Sequence, residues 1–227
     1  MSIETAKKEL LERGYCSFNL KDFDEQSFDY IQKYKCNSEK SLKSLIKSLR
    51  ADYKDPYKKD TSENVNKEYK SFEEVEAAKW EILNNKSIIR DDFFQIWLYT
   101  NISDVGLYKI YDKITKYFFD LDDKENLSIE TSISLYNQGC FLKDHIDGKS
   151  PVKNYASVLI YLNENYDESN GGNLILNNEY KVIPEFGTVA IIELQNFDIH
   201  HQVEEITNDS ERYCLIAFPF NKKNQIL

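Results

Sequence analysis

LSIETSISLYNQGCFLKDHID, residues 127–147, opens the second half of the chain with a strict two-residue repeat. Leu127, Ile129, Thr131, Ile133 and Leu135 alternate with Ser128, Glu130, Ser132 and Ser134. That is the period of a strand with one face in a core. Segments 155–162, 173–177, 188–194, 199–206 and 212–219 also read as strands. Asn170, Gly171 and Gly172 supply one turn, and Pro184 and Gly187 bracket another. Short strands with turn signals at this spacing predict an antiparallel sandwich or jelly roll.

Upstream of residue 125 the pattern is mostly helical. Ile3, Ala6, Leu10 and Leu11 form an apolar stripe that stops at Gly14. Cys16, Phe18 and Leu20 then alternate as in a short strand. Leu42, Leu45, Ile46 and Leu49 predict a helix over 39–50. Ser71 and Glu74 form a capping-box pattern ahead of a helix through Trp80 and Ile82. Leu107, Ile110, Tyr111, Ile114 and Phe118 mark a further helix, with Ser103 as its expected cap. The charged segment 51–70, with Pro56 inside it, reads as a solvated loop, with a lid over a site as the alternative. The expectation is one domain over 1–227, α+β overall, with a helical elaboration at 1–125 and a β core at 126–220.

The net charge of −10 disfavours binding to a nucleic-acid backbone. No segment approaches the roughly 18 apolar residues of a membrane span, and the amino terminus has no apolar signal core. Cys16, Cys36, Cys140 and Cys214 are scattered without CxxC spacing, so they read as reduced thiols of a cytoplasmic protein.

The chain has three histidines, His145, His200 and His201, all in its strand-rich half. His145 and Asp147 are an i, i+2 pair, so on an extended segment they project to one side. One imidazole and one carboxylate can then meet a single ion, with the third ligand drawn from His200 or His201. Two imidazoles and a carboxylate on one face of an ion leave open positions, the geometry of non-haem iron(II) oxygen chemistry. Zinc more often takes a closed tetrahedron or three ligands and a water. Arg212 opens the apolar segment Tyr213–Phe218, so its permanent charge has a reason to be inside, where a guanidinium can fork onto a carboxylate. Tyr136 lies on the polar face of its strand with Ser132 and Ser134, and Tyr161 shares a face with Ser157 and Leu159.

As an ordered set, LYNQGCFLKDHID (135–147), VLIYLNENYDESNGGNLIL (158–176), PEFGTVAII (184–192) and HQVEEITNDSERYCLIAFPF (201–220) resemble the prolyl 4-hydroxylase-like group of iron(II)- and 2-oxoglutarate-dependent dioxygenases. The resemblance implies a double-stranded β-helix with a helical layer on one side. It implies iron ligands at His145, Asp147 and His201, an arginine for the oxo acid's distal carboxylate at Arg212, and oxo-acid-binding tyrosines at Tyr136 and Tyr161. The implied cofactors are Fe(II), 2-oxoglutarate as co-substrate and O2, with ascorbate as a candidate reductant. The implied reaction is hydroxylation of a C–H bond with decarboxylation of 2-oxoglutarate to succinate. Related halogenases replace the ligand carboxylate with a small residue, so Asp147 favours hydroxylation.

The matched segments hold the cofactor core, not the acceptor. A small molecule such as an amino acid is the expected substrate, with a prolyl residue of a peptide or protein as the alternative. The reading of another class is a non-catalytic metal-binding jelly-roll module.

Overall fold

In a computed structural model of the chain, residues 2–35, 104–136, 138–147 and 154–221 are described, together with the backbone of four short strands between residues 52 and 100. The described elements run α1 (Ile3–Arg13), β1 (Tyr15–Asn19), α2 (Leu20–Phe23), α3 (Glu25–Ile31) and a 3-10 turn (Gln32–Tyr34). Next come β2 (Asp52–Lys54), β3 (Glu68–Tyr69), β4 (Phe93–Phe94), β5 (Trp97–Thr100) and α4 (Val105–Phe118). The rest is β6 (Leu127–Tyr136), β7 (Phe141–Ile146), β8 (Ala156–Tyr161), β9 (Leu174–Leu176), β10 (Tyr180–Val182), β11 (Thr188–Glu193), β12 (His200–Val203) and β13 (Arg212–Asn221).

Two antiparallel sheets result. The larger has the order β1-β11-β8-β13-β6-β5-β2-β3, and the smaller β10-β9-β12-β7-β4. From β6 onward the chain crosses repeatedly from sheet to sheet: β6, β8, β11 and β13 lie in the larger, and β7, β9, β10 and β12 in the smaller. This winding is a double-stranded β-helix, as the sequence resemblance implied. Strand β13 is its spine, pairing with β6 from Arg212↔Tyr136 to Asn221↔Leu127 and with β8 on its other edge. Both faces of β8 are covered, so all its residues are buried and its sequence, ASVLIY, is a nearly continuous apolar run.

Helices cover the outer face of the larger sheet. Helix α1 packs on β1 and β11, and α4 on β6 and β13. The stripe of α4 is the predicted one: Leu107, Ile110, Tyr111, Ile114 and Phe118 are buried. Gly14 ends α1 with φ 82°, and a Cβ there would also run into the Phe197 ring. Cys16, Cys140 and Cys214 are buried free thiols, and no described helix is long and apolar enough to cross a membrane.

Some local expectations are corrected. The cap of α4 is Asp104, whose side chain accepts from the Leu107 N–H; Ser103 lies outside the described residues. Residues 20–31, not predicted as helical, form α2 and α3, because Asn19 and Asp24 cap them with their side chains. The loop expected over 51–70 contains β2 and β3, which pair with each other, while β2 also pairs with β5. Charged residues do not prevent an edge segment from completing backbone hydrogen bonds. The rest of that segment, with the lid alternative, and the helices expected over 39–50 and 71–82 lie outside the described residues, as does Cys36.

Asp104 also ties α3 to α4. Its carboxylate accepts from the Tyr30 hydroxyl (2.5 Å), the Tyr34 hydroxyl (2.7 Å), the Leu107 N–H (2.9 Å) and Lys33 Nζ (3.1 Å). Burial alone would raise its pKa, but these donors outweigh burial and hold the carboxyl well below the usual carboxylate range. With the folded pKa depressed, the stabilisation is fully present above about pH 4 and is lost as the pH falls toward the folded value. Asp104→Ala should therefore cost about 2 kcal/mol at neutral pH. In urea melts, its deficit against the parent protein should shrink as the pH drops below about 4.

Candidate metal centre and oxo-acid cavity

Strands β7 and β12 are neighbours in the smaller sheet, and their register sets His201 directly opposite His145. The two rings stand side by side with centroids 4.1 Å apart. Alternation turns the adjacent pair, Ile146 and His200, outward, and both are exposed. His200 meets Asp144, with Nδ1 2.9 Å from Oδ2. Asp147 follows the end of β7 and turns back, so its Oδ1 lies 3.6 Å from Nε2 of His145 and 3.6 Å from Nε2 of His201. Donor atoms of His145, Asp147 and His201 all lie within 4.8 Å of one another.

The other ring nitrogens are occupied by backbone. His145 Nδ1 is 2.9 Å from the Lys143 carbonyl oxygen, and His201 Nδ1 is 3.3 Å from that of Ile199. Each Nδ1 therefore carries the proton, leaving each Nε2 lone pair free toward the cavity. Metal-binding imidazoles are commonly oriented this way. The neighbouring Asp147 carboxylate raises the pKa of half-buried His145, whereas burial lowers that of His201. Burial pushes the Asp147 carboxyl up, but the adjacent His145 and His201 imidazoles outweigh it and lower its pKa. One anionic and two neutral donors are what a divalent iron site with open positions uses.

Arg212, the first residue of β13, is 2% exposed. Its Nη2 donates to the Tyr161 hydroxyl at 3.1 Å, and its guanidinium carbon lies 4.9 Å from the ring centres of both Tyr136 and Tyr161. Its Nε has no partner, and no carboxylate among the described residues forms an ion pair with it. A buried cation without an anion is costly, so the site fits a ligand carboxylate. Burial also pushes both phenols up in pKa, which keeps them neutral donors.

A cavity of about 220 Å³ joins the two groups. Its lining includes His145, Asp147 and His201, and also Arg212 and Tyr136. Leu159, Leu174, Ile216 and Phe218 are among its apolar walls. Tyr161 does not line it and reaches it through Arg212. Three serines, Ser132, Ser134 and Ser157, also line it. They sit on the inward positions of β6 and β8, and their signal in the sequence is the same alternation that marks the strands.

The loop behind Arg212 depends on glycine. Gly171 has φ 77°, and a Cβ there would collide with the Glu205 carbonyl oxygen, a backbone atom. Gly171→Ala should lower stability by about 2–4 kcal/mol through this clash and the strained φ. A chemical denaturation curve checks it, and a loss below about 1 kcal/mol would show that the loop relaxes freely.

Residues 131–219, under half of the chain, match the family model described as the 2OG-Fe(II) oxygenase superfamily. No curated protein matches the chain in sequence. Among solved structures, the fold is similar to that of a Pseudomonas putida prolyl-4-hydroxylase, with 12% identity and a TM-score of 0.57 over 96% of this chain and 98% of that one. A Trichoplax adhaerens prolyl hydroxylase in complex with a hypoxia inducible factor peptide fragment aligns at 14% identity and TM-score 0.58, over 98% and 90% of the two chains. The carbocyclase SnoK from nogalamycin biosynthesis aligns at 13% identity and TM-score 0.53, over 97% and 84%. The β core is that of a 2OG-Fe(II) oxygenase, a dioxygenase class whose cofactors are Fe(II), 2-oxoglutarate and O2. Within that class, the fold is the one that prolyl 4-hydroxylases share.

Proposed function

We propose that this protein is a hydroxylase acting on a C–H bond of a small molecule such as an amino acid. One observation carries the reading: a two-histidine, one-carboxylate cluster faces, across one cavity, a buried arginine with no carboxylate partner among the described residues. Iron with 2-oxoglutarate and dioxygen supplies the oxidising power, leaving succinate, carbon dioxide and a hydroxylated product.

The chain's residues then have distinct tasks. His145, Asp147 and His201 hold the metal, and the Lys143 and Ile199 carbonyls keep the two imidazoles in the required tautomer. Arg212 receives the distal carboxylate of the oxo acid. Tyr136 offers a phenol on the cavity wall, and Tyr161 positions the guanidinium. The apolar wall excludes water from the reacting carbon. Asp147 keeps a carboxylate at the metal, which favours hydroxylation over halide transfer. We read the chain as one oxygenase domain. Its buried thiols suit a reducing cytoplasm, and ascorbate is the candidate reductant for restoring the ferrous state.

The second reading is a prolyl hydroxylase for a peptide, favoured by the likeness to the two prolyl hydroxylase structures. Succinate release in air, with Fe(II), 2-oxoglutarate and a panel of free amino acids and prolyl peptides, separates the two. Stimulation by a free amino acid is the expected result. Stimulation by peptides alone would assign the second reading. Metal binding without 2-oxoglutarate binding or turnover would assign the non-catalytic module.

A further inference from the structure

We infer that Ser134 is a further co-substrate-binding residue, its hydroxyl donating to the distal carboxylate of 2-oxoglutarate beside Arg212. The inference rests on the oxygenase reading and adds a residue to it. Ser134 is fully buried, lines the same cavity as Arg212, and its Oγ has no hydrogen-bond partner. A hydroxyl buried without a partner is unfavourable, and an alanine would be better there if packing were its only role.

The strand register locates it. Arg212 is opposite Tyr136, whereas Cys214, next on the same face of β13, is flanked by Ser134 of β6 and Tyr161 of β8. Arg212 packs against the Tyr136 ring in its own row and donates to the Tyr161 hydroxyl from the next. Its guanidinium therefore reaches toward the row that holds both Ser134 and Tyr161, with Cys214 between those two. Ser132 lies one row farther along, opposite Ile216. Two buried polar groups without partners, Ser134 Oγ and Arg212 Nε, thus share one end of the cavity. Both can donate to the two oxygens of one carboxylate, and their geometry needs no acceptor from the protein.

The test uses Mn(II)-loaded protein, which binds oxo acids without turnover, and two probes in calorimetric titrations. 2-Oxoglutarate carries the distal carboxylate; 2-oxopentanoate has a methyl group in its place. Ser134→Ala should weaken 2-oxoglutarate by about 10-fold or more, as expected for a lost hydrogen bond to a charged group. It should leave 2-oxopentanoate unchanged. Ser134→Thr, which keeps the hydroxyl, should retain most of the preference for the dicarboxylate. The alanine variant should melt no lower than the parent, because it removes an unpartnered group. Unchanged 2-oxoglutarate affinity, or equal weakening of both acids, would overturn the assignment of Ser134 while leaving the oxygenase reading in place. Failure of the parent protein to bind either acid would overturn both.

Discussion

Arg212→Ala is expected to weaken 2-oxoglutarate binding by about 150- to 5,000-fold and to leave metal binding within a few-fold of the parent. The size follows from truncating one partner of a buried, hydrogen-bonded charge pair, which costs about 3–5 kcal/mol. The asymmetry follows from placement: Arg212 lies on β13 of the larger sheet, and the three donor residues belong to the β7 and β12 region of the smaller one. Parallel titrations with Mn(II) and with 2-oxoglutarate measure both affinities. Equal loss of the two would mean that Arg212 holds the fold and not the oxo acid. Arg212→Lys should recover only part of the affinity, since an ammonium cannot present a planar fork between the Tyr136 and Tyr161 rings.

His201→Ala should abolish specific metal binding and, with it, 2-oxoglutarate turnover. The adjacent His200→Ala should keep both near parental levels. The contrast is a direct consequence of strand alternation: His201 is 7% exposed and shares an aspartate oxygen with His145, whereas His200 faces outward and pairs with Asp144. A metal present at about 100 times its dissociation constant stabilises the parent by about 2.7 kcal/mol. Melting curves with and without Mn(II) should therefore shift for the parent and for His200→Ala but not for His201→Ala. A shift retained by His201→Ala and lost by His200→Ala would reverse the strand-face assignment.

The grouping of His145, Asp147 and His201 was legible because its geometry is local on each strand. His145 and Asp147 are two apart, and only one of two adjacent histidines can face the same way. Arg212 was legible from the apolar run it opens. The pairing that brings His201 opposite His145 was not, since register depends on contacts between segments far apart in sequence. Strand β7 itself gave a poor strand signal: FLKDHI has no alternation of buried and exposed positions, with Lys143 and Asp144 side by side and both exposed. The indirect placement of Tyr161, which touches Arg212 without lining the cavity, needed three-dimensional packing. So did the role of Asp104, whose four donors come from α3, the turn after it and α4. Polar helices α2 and α3 lack an apolar stripe strong enough to mark them, and their capping residues were the only local cue.

Anaerobic titration of the protein with Fe(II) and 2-oxoglutarate, followed by visible absorption, bears most directly on the site as a whole. It requires His145, Asp147 and His201 to hold one iron with open positions while Arg212 holds the far end of the oxo acid. A weak visible charge-transfer band that saturates near one equivalent of each component is the expected result. No band at saturating Fe(II) and 2-oxoglutarate would contradict it.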